Sequence, residues 1–197
     1  MSERLLYLVR HAEVILRGDV HPSEWRLSPQ GQADARDLAR SPVWSSVELV
    51  ASSPEEKTKE TATPIAEAAG VELHVEHDLR EVERGLSGLV SAEEYAALVA
   101  AHFATPDSSV GDWERGADAR ERVVTCIERL ASETEAPICV VSHGMVLSHY
   151  LAHLRDLDIP SIDEWRTITL PAVAAVELES RRLSQPFMSM MEFLGRA

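Results

Sequence analysis

Three short apolar segments, each followed by polar residues and then by a helical pattern, restrict what this chain can fold into. They are LLYLV (5–9), VELVA (47–51) and ICVV (138–141). Apolar runs of this length are typical of strands buried on both faces of a parallel sheet. Helical patterns are found at 29–40, 55–69, 118–134 and 145–155. The alternation predicts an α/β fold, here a three-layer α/β/α sandwich with a mostly parallel central sheet.

Two further strands, at 71–75 and 174–179, are expected to extend the sheet. Residues 78–117 differ, because turn residues and scattered charges interrupt the one helical stretch, SAEEYAALVAAHF. We expect a single domain over residues 1–197 with a short inserted cap at about 78–117. The tail, 184–197, mixes apolar and polar residues, so docking on the body, packing in a homodimer and partial disorder all stay open.

The charge of the chain limits its partners. Thirty-three acidic and nineteen basic residues give a formal net charge of -14. This field repels nucleic-acid phosphates and anionic membrane surfaces, so neither is an expected partner. It also opposes any anionic substrate, and a phosphate site would therefore need its own cluster of positive side chains.

The expected location is the cytoplasm. The two cysteines, Cys126 and Cys139, lie in apolar contexts without metal-ligand spacing, which favours buried free thiols in a reducing compartment over a disulfide. The first residues, MSERLLYLVRH, contain too short an apolar run for a signal peptide, and no stretch has the length of a membrane span.

Each of the three apolar runs ends in groups that can do chemistry. In an open parallel sheet, ligands bind outside the carboxyl ends of the strands. The residues at these ends are Arg10-His11, Ser52-Ser53-Pro54 and Ser142-His143-Gly144. A glycine at a strand-to-helix turn can let backbone N–H groups approach an anion, or can serve only the turn. We therefore predict one site that contains two histidines and an arginine.

This set of side chains fits phosphoryl transfer. A neutral imidazole can attack phosphorus and form a covalent intermediate, provided that positive groups hold the phosphoryl oxygens. A carboxyl group above the site would protonate the leaving oxygen. The stretch DLREVERG offers Glu81, with Glu83 as the second choice.

Four motifs together resemble the histidine phosphatase superfamily, also called the phosphoglycerate mutase-like family, over roughly residues 5 to 180. They are RHAE, SSPEEKTKETA (52–62), LREVERG (79–85) and VVSHG (140–144). The resemblance implies that His11 is the phosphorylated nucleophile, that Arg10 and His143 bind the phosphoryl group, and that Glu81 is the general acid. Ser53 opens the matching motif on the second strand, and Ser53 and Gly144 are further expected substrate-binding residues. No cofactor and no metal are implied.

The chain departs from the family pattern at several positions. Lys57 stands where the family has an arginine, which keeps the charge but loses the planar fork that binds phosphate through two hydrogen bonds. Ala12 and Val14 replace the usual glycine and threonine, and Ala12 requires only that the backbone there does not need a positive φ. Arg17 replaces an asparagine, and we expect it to join Arg10 and Lys57 in the positive cluster.

These observations predict a metal-independent phosphatase that hydrolyses a small phosphomonoester through phosphohistidine. Phosphoglycerate mutase-type transfer and a catalytically weak phosphate-binding module are the alternatives, and a metal-dependent hydrolase that uses His11, Glu13 and His143 is a further one. His149 and His153 share a helical face at a spacing that can bind zinc, but no third ligand is evident.

Overall fold

Six strands form one sheet in which four neighbours are parallel. The structure, a computed structural model, describes residues 4–85 and 90–196. The strands are β1 (Leu5–Arg10), β2 (Leu49–Ser52), β3 (Leu73–Val75), β4 (Ile138–Ser142), β5 (Ala172–Glu177) and β6 (Arg182–Ser189). Their order is β3-β2-β4-β1-β5-β6. Strands β3, β2, β4 and β1 are parallel, whereas β5 is antiparallel to β1 and to β6.

Helices cover both faces of this sheet. They are α1 (Pro29–Leu38), α2 (Glu56–Ala69), α3 (Ala92–Ala104), α4 (Gly116–Ser132), α5 (Gly144–Leu154), α6 (Ile162–Thr167) and α7 (Met190–Leu194). Alternate residues of β1 point to opposite sides, so that Leu6 and Leu8 enter one core and Tyr7 and Val9 enter the other. The predicted three-layer α/β/α arrangement with a mostly parallel sheet is confirmed. The predicted strands and helices are present, with ends shifted by one to a few residues.

The tail docks on the body. It supplies β6, which the sequence analysis did not predict, and α7. Phe193 of α7 packs against Trp44 and Tyr7, with ring centroids 5.6 and 6.3 Å away. These aromatic contacts bury the end of the chain against the face of the sheet that carries α1 and α2.

The segment predicted as a cap contains α3, which packs near α6 on the side of α4 and α5. Ser91 caps α3, because its hydroxyl accepts a hydrogen bond from Glu94 N while the Glu94 carboxylate accepts one from Ser91 N. Within the predicted cap, residues 86–89 lie outside the described residues. None of the helices described in 4–85 and 90–196 is long and apolar enough to cross a membrane.

Candidate active site

A cavity of about 300 Å³ lies at the carboxyl ends of the central strands. It contains five of the eight predicted site residues, namely Arg10, His11, Lys57, Glu81 and His143. The register explains the convergence, since Arg10 of β1 pairs with Ser142 of β4 and both strands end there. The pairing of β1 with β4 also fixes the next residue, because His11 N donates a hydrogen bond to Ser142 O over 3.1 Å.

His11 is a buried histidine whose Nε2 can act as a nucleophile. Its Nδ1 lies 2.8 Å from the carbonyl oxygen of Ala12, which can only accept, so Nδ1 carries the proton and Nε2 holds the lone pair. Burial lowers the pKa of His11 well below its usual value, and the neighbouring His143, Lys57 and Arg10 lower it further. The ring is therefore neutral near pH 7, as a nucleophile must be.

The loop after His11 is held by side-chain hydrogen bonds. Ala12 N donates to the Thr61 hydroxyl over 3.1 Å, and that hydroxyl donates to Lys57 O over 2.7 Å. Ala12 does not have a positive φ. The backbone condition for an alanine at this position is therefore met.

His143 is fixed from one side. Its Nε2 lies 2.8 Å from the Ser53 hydroxyl and 3.2 Å from Glu55 Oε1, whereas its buried Nδ1 has no hydrogen-bond partner within the described chain. Burial lowers its pKa, and the charges of Lys57, Arg84 and Arg10 add to this. Ser53, predicted as a substrate-binding residue, is buried outside the cavity lining, and its hydroxyl holds His143. Its hydroxyl is also 2.6 Å from that of Thr58.

Gly144 permits a close approach at the N-terminus of α5. A Cβ atom there would lie 2.9 Å from Trp165 Nε1 and 3.3 Å from the central carbon of the Arg10 guanidinium. The Arg10 guanidinium also donates to Ile168 O, while its buried Nε has no partner in the described part of the chain. The glycine therefore lets Arg10 pack against the helix end beside His143, a favourable place for an anion.

Glu81 is positioned by the same helix end. Its Oε2 accepts from Met145 N over 3.2 Å, and its Oε1 accepts from Val146 N over 3.2 Å and from Val82 N over 3.0 Å. The carboxyl group is nearly buried, with 9% of the residue exposed, and it lines the cavity. By contrast, Glu83 is exposed and lies 3.7 Å from His21 Nε2. The geometry favours Glu81 over Glu83 as the cavity carboxyl.

Arg122 holds the turn that carries Glu81. It donates to the carbonyl oxygens of Asp78, Arg80 and Glu81 over 2.7, 2.8 and 3.0 Å. Two further 2.7 Å hydrogen bonds join it to the Glu114 carboxylate. This largely buried pair fixes the general-acid candidate through the backbone. The charges of Glu114 and Arg122 alone would also fit a solvated surface, so the sequence does not single this pair out.

Lys57 forms a buried ion pair that the sequence analysis did not anticipate. Its Nζ contacts the Glu55 carboxylate and donates to Pro22 O over 2.8 Å. Glu55 Oε1 also accepts from Glu81 N over 2.8 Å. Burial alone would raise the pKa of Glu55, but Lys57 and this N–H donor outweigh burial and lower it. Glu55 thus connects Lys57, His143 and the Glu81 backbone. The only sequence sign was a glutamate two residues before Lys57.

Arg17 does not join the positive cluster. It is exposed, its Nε is 3.0 Å from the Asp19 carboxylate, and it is absent from the cavity lining. A two-residue separation lets the neighbouring aspartate bind it locally. Arg84 lines the cavity instead, with its guanidinium carbon 5.2 Å from the centre of the Tyr95 ring and 5.9 Å from that of Trp113.

The helical spacing of His149 and His153 does not bring these two side chains together. His149 Nε2 lies 3.1 Å from His102 Nε2, whereas His153 Nε2 lies 3.0 Å from an Arg181 nitrogen. Among the residues described, no group of three or more His, Cys, Asp or Glu side chains is arranged to hold a metal ion. His11, Glu13 and His143 therefore do not form a ligand set.

Known proteins resemble this chain in sequence over part of its length and in fold over most of it. The chain is 36% identical over 86 residues to a putative phosphoserine phosphatase 2 from Hydrogenobacter thermophilus, a stretch that covers 41% of this chain and only 41% of that relative. Its fold is similar to mycobacterial glucosyl-3-phosphoglycerate phosphatase in complex with inorganic phosphate (TM-score 0.74, 22% identity, 95% of this chain and 98% of that chain). It is also similar to phosphoserine phosphatase from Entamoeba histolytica in complex with 3-phosphoglyceric acid (TM-score 0.70, 18% identity, 94% and 97%).

A match to a protein-family model covers more of the chain than the curated relative does. The model of the histidine phosphatase superfamily (branch 1) matches residues 6–185, which include all four motifs. The resemblance drawn from those motifs is confirmed, and the chain belongs to the histidine phosphatase superfamily.

Proposed function

We propose that this protein is a metal-independent phosphatase that hydrolyses a phosphomonoester through a phosphohistidine on His11. The observation that carries the proposal is the state of His11. This buried, neutral imidazole lines a cavity together with Arg10, Lys57 and Arg84, and its Nε2 lone pair has no hydrogen-bond partner among the described residues. These cations offset the charge of the phosphoryl group in a protein whose net charge is -14.

The first chemical step forms the covalent intermediate. His11 Nε2 attacks phosphorus as the bond from phosphorus to the ester oxygen breaks, and Glu81 gives its proton to the departing alkoxide. Arg10, at the N-terminus of α5, lies where it can bind the phosphoryl oxygens. His143 has an unpartnered Nδ1 that can meet another of those oxygens once it carries a proton.

The second step releases phosphate. Water attacks the phosphorus of phosphohistidine, the Glu81 carboxylate takes the proton from that water, and the P–N bond breaks. His11 Nε2 regains its lone pair, and inorganic phosphate leaves. The backbone N–H groups that hold Glu81 keep one carboxyl group in place for both proton transfers.

The test compares the wild type with His11→Ala on p-nitrophenyl phosphate, each with and without a chelator. We expect activity that survives chelation and is lost in the variant, together with a base-stable, acid-labile phosphoryl group on the His11 peptide. Loss of activity on chelation would support a metal-dependent hydrolase. If the protein bound phosphate but showed neither turnover nor a phosphoryl group on His11, the result would support the binding module. Transfer of the phosphoryl group to phosphoglycerate in preference to water would support the mutase.

The remaining expectations concern location and partners. We propose a cytoplasmic protein, a location supported by the two free and buried cysteines on opposite faces of the sheet. The proposed partner is a small phosphate ester, and the net charge argues against nucleic acid and anionic membranes. A homodimer stays a prediction, for which the edge strand β6 offers an unpaired backbone.

A further inference from the structure

The active-site cavity has two chemically different parts. The residues of the proposed chemistry form a charged floor, made of Arg10, His11, Lys57, Glu81 and His143, and the outer part differs from this floor. Its side chains are largely apolar and include Trp25, Val90, Tyr95, Leu98, Trp113 and Leu170. Outside the floor, the polar side-chain groups in the described lining are the Arg84 guanidinium, the Tyr95 hydroxyl and the indole N–H groups of Trp25 and Trp113. The indole N–H of Trp25 already donates to Arg17 O over 2.8 Å. Burial raises the pKa of Tyr95 to about 12, so this hydroxyl stays protonated. We call this part of the cavity the outer chamber.

The mouth of the outer chamber is apolar as well. Leu16 is 61% exposed and Val90 is 44% exposed, and both line the cavity. Apolar side chains that remain in water beside a binding site favour a ligand that covers them. An apolar group held there would gain free energy from burial at both the wall and the rim.

Arg84 gives the outer chamber a flat wall. Its guanidinium lies over the Tyr95 ring and close to the Trp113 ring. A planar guanidinium stacks well on aromatic groups, so this wall suits an aromatic ring on the ligand.

We infer that the substrate is a phosphomonoester of an apolar, aryl-bearing alcohol or phenol, an inference that rests on the proposed function. The hydroxyl groups of a sugar phosphate or the ammonium group of phosphoserine would lose their hydrogen bonds to water in the outer chamber. They would form few hydrogen bonds with the described side chains in return, which lowers the affinity. The rival is a ligand whose carboxylate binds Arg84, as phosphoserine or phosphoglycerate would. The aromatic and aliphatic groups around Arg84 favour the apolar ligand.

The test compares two esters that both release a primary alcohol, 2-phenylethyl phosphate and O-phosphoserine. We expect kcat/KM to be on the order of 100-fold higher for the phenylethyl ester, the effect of one buried aromatic side group. Equal values, or a preference for phosphoserine, would overturn the inference while leaving the phosphatase proposal intact.

Binding of non-hydrolysable analogues tests the outer chamber without turnover. We expect 3-phenylpropylphosphonate to bind more tightly by calorimetry than 2-amino-4-phosphonobutanoate, again by about 100-fold. This arm decides the inference even if no ester is hydrolysed, an outcome that would refute only the proposed function. Tighter binding of the amino acid analogue would overturn the inference.

Two variants locate the preference in the outer chamber. Leu98→Gln and Leu16→Gln should each lower the ratio of phenylethyl to phosphoserine kcat/KM by about threefold to tenfold. Ile159→Gln is the matched control, because Ile159 is 44% exposed and lies outside the cavity lining, and its ratio should not change. An unchanged ratio in both Leu98→Gln and Leu16→Gln would place the selectivity elsewhere and overturn the inference.

Discussion

Two pairs of buried histidines in this protein are nearly alike in geometry. The rings of His11 and His143 have centroids 5.3 Å apart with an interplanar angle of 64°. Those of His102 and His149 are also 5.3 Å apart, at 84°. Burial lowers the pKa of all four, to about 4 for His102 and about 3 for His149. Neither ring geometry nor a lowered pKa separates the two pairs.

Their surroundings do separate them. His11 and His143 face a cavity of about 300 Å³ that Arg10 and Lys57 also line. His102 and His149 are buried between α3 and α5, and the centroid of the Phe103 ring lies 5.3 Å from that of the His149 ring. A perturbed pKa is therefore a sign of burial. It indicates a functional site only where a ligand can enter and where side chains of opposite charge can bind that ligand.

The same substitution in both pairs tests this difference most directly. His143→Asn should lower kcat/KM by about 1000-fold, because it removes a phosphoryl-binding group. His149→Asn should leave kcat/KM within about twofold of the wild type, yet lower the free energy of unfolding by about 1–3 kcal/mol. Steady-state kinetics and urea denaturation measure both effects. A large loss of turnover in His149→Asn would show that the second pair takes part in function.

The two carboxyl groups on the 78–85 turn give a second contrast. Glu81→Gln should slow hydrolysis of an alkyl phosphate by about 100-fold, since an alkoxide leaves only with a proton, but should slow p-nitrophenyl phosphate much less. Glu83→Gln is the control and should change neither rate, because Glu83 is exposed. Equal losses on both esters in Glu81→Gln would remove its role as the acid.

The sequence was sufficient for the parts of the site that lie at strand ends. Arg10 and His143 follow apolar runs, and a parallel sheet aligns the ends of such runs, so their convergence with His11 could be predicted. The tail was not predictable in the same way. An edge strand such as β6 is buried on one side only, and its mixed pattern also fits a loose segment.

Side chains placed by long-range contacts were harder to predict. Glu55 sits two residues before Lys57, but its contact with His143 depends on the packing of β2 beside β4. Arg17 and Arg84 illustrate the same limit. Each is a basic residue in a loop, and only the fold shows that Arg17 pairs with a neighbouring aspartate while Arg84 enters the cavity.

The Glu55 network predicts a smaller, two-sided effect. Glu55→Gln should tighten binding of inorganic phosphate roughly fivefold, because it removes a negative charge and leaves Lys57 available to the anion. It should also lower the free energy of unfolding by about 3 kcal/mol, since a buried lysine loses its partner. Glu56→Gln is the matched control, as Glu56 pairs at the surface with Lys59 and Arg26. Weaker phosphate binding in Glu55→Gln would show that the carboxylate instead holds the site in its binding geometry.

The smallest expected effect is on the pH dependence of stability. Between pH 6.5 and about 4, the unfolded chain binds protons at His102 and His149 that the folded chain does not bind. The free energy of unfolding should therefore be greatest above pH 6.5 and fall as the pH falls. Each such histidine contributes at most about 1.4 kcal/mol per pH unit. His149→Asn should reduce this slope, and a curve parallel to that of the wild type would contradict the assignment.

His143→Asn should reduce the same slope, because burial lowers the pKa of His143 as well. The two asparagine variants would then agree in how their stability depends on pH and differ about 500-fold or more in kcat/KM. Such a result would separate the two properties that both pairs combine. Burial of an imidazole determines its pKa, whereas the cavity and its cations determine whether that neutral imidazole has a substrate. If only His143→Asn changed the slope, the His102 and His149 pair would be hydrated in solution, and the contrast between a sealed and an open pair would fail.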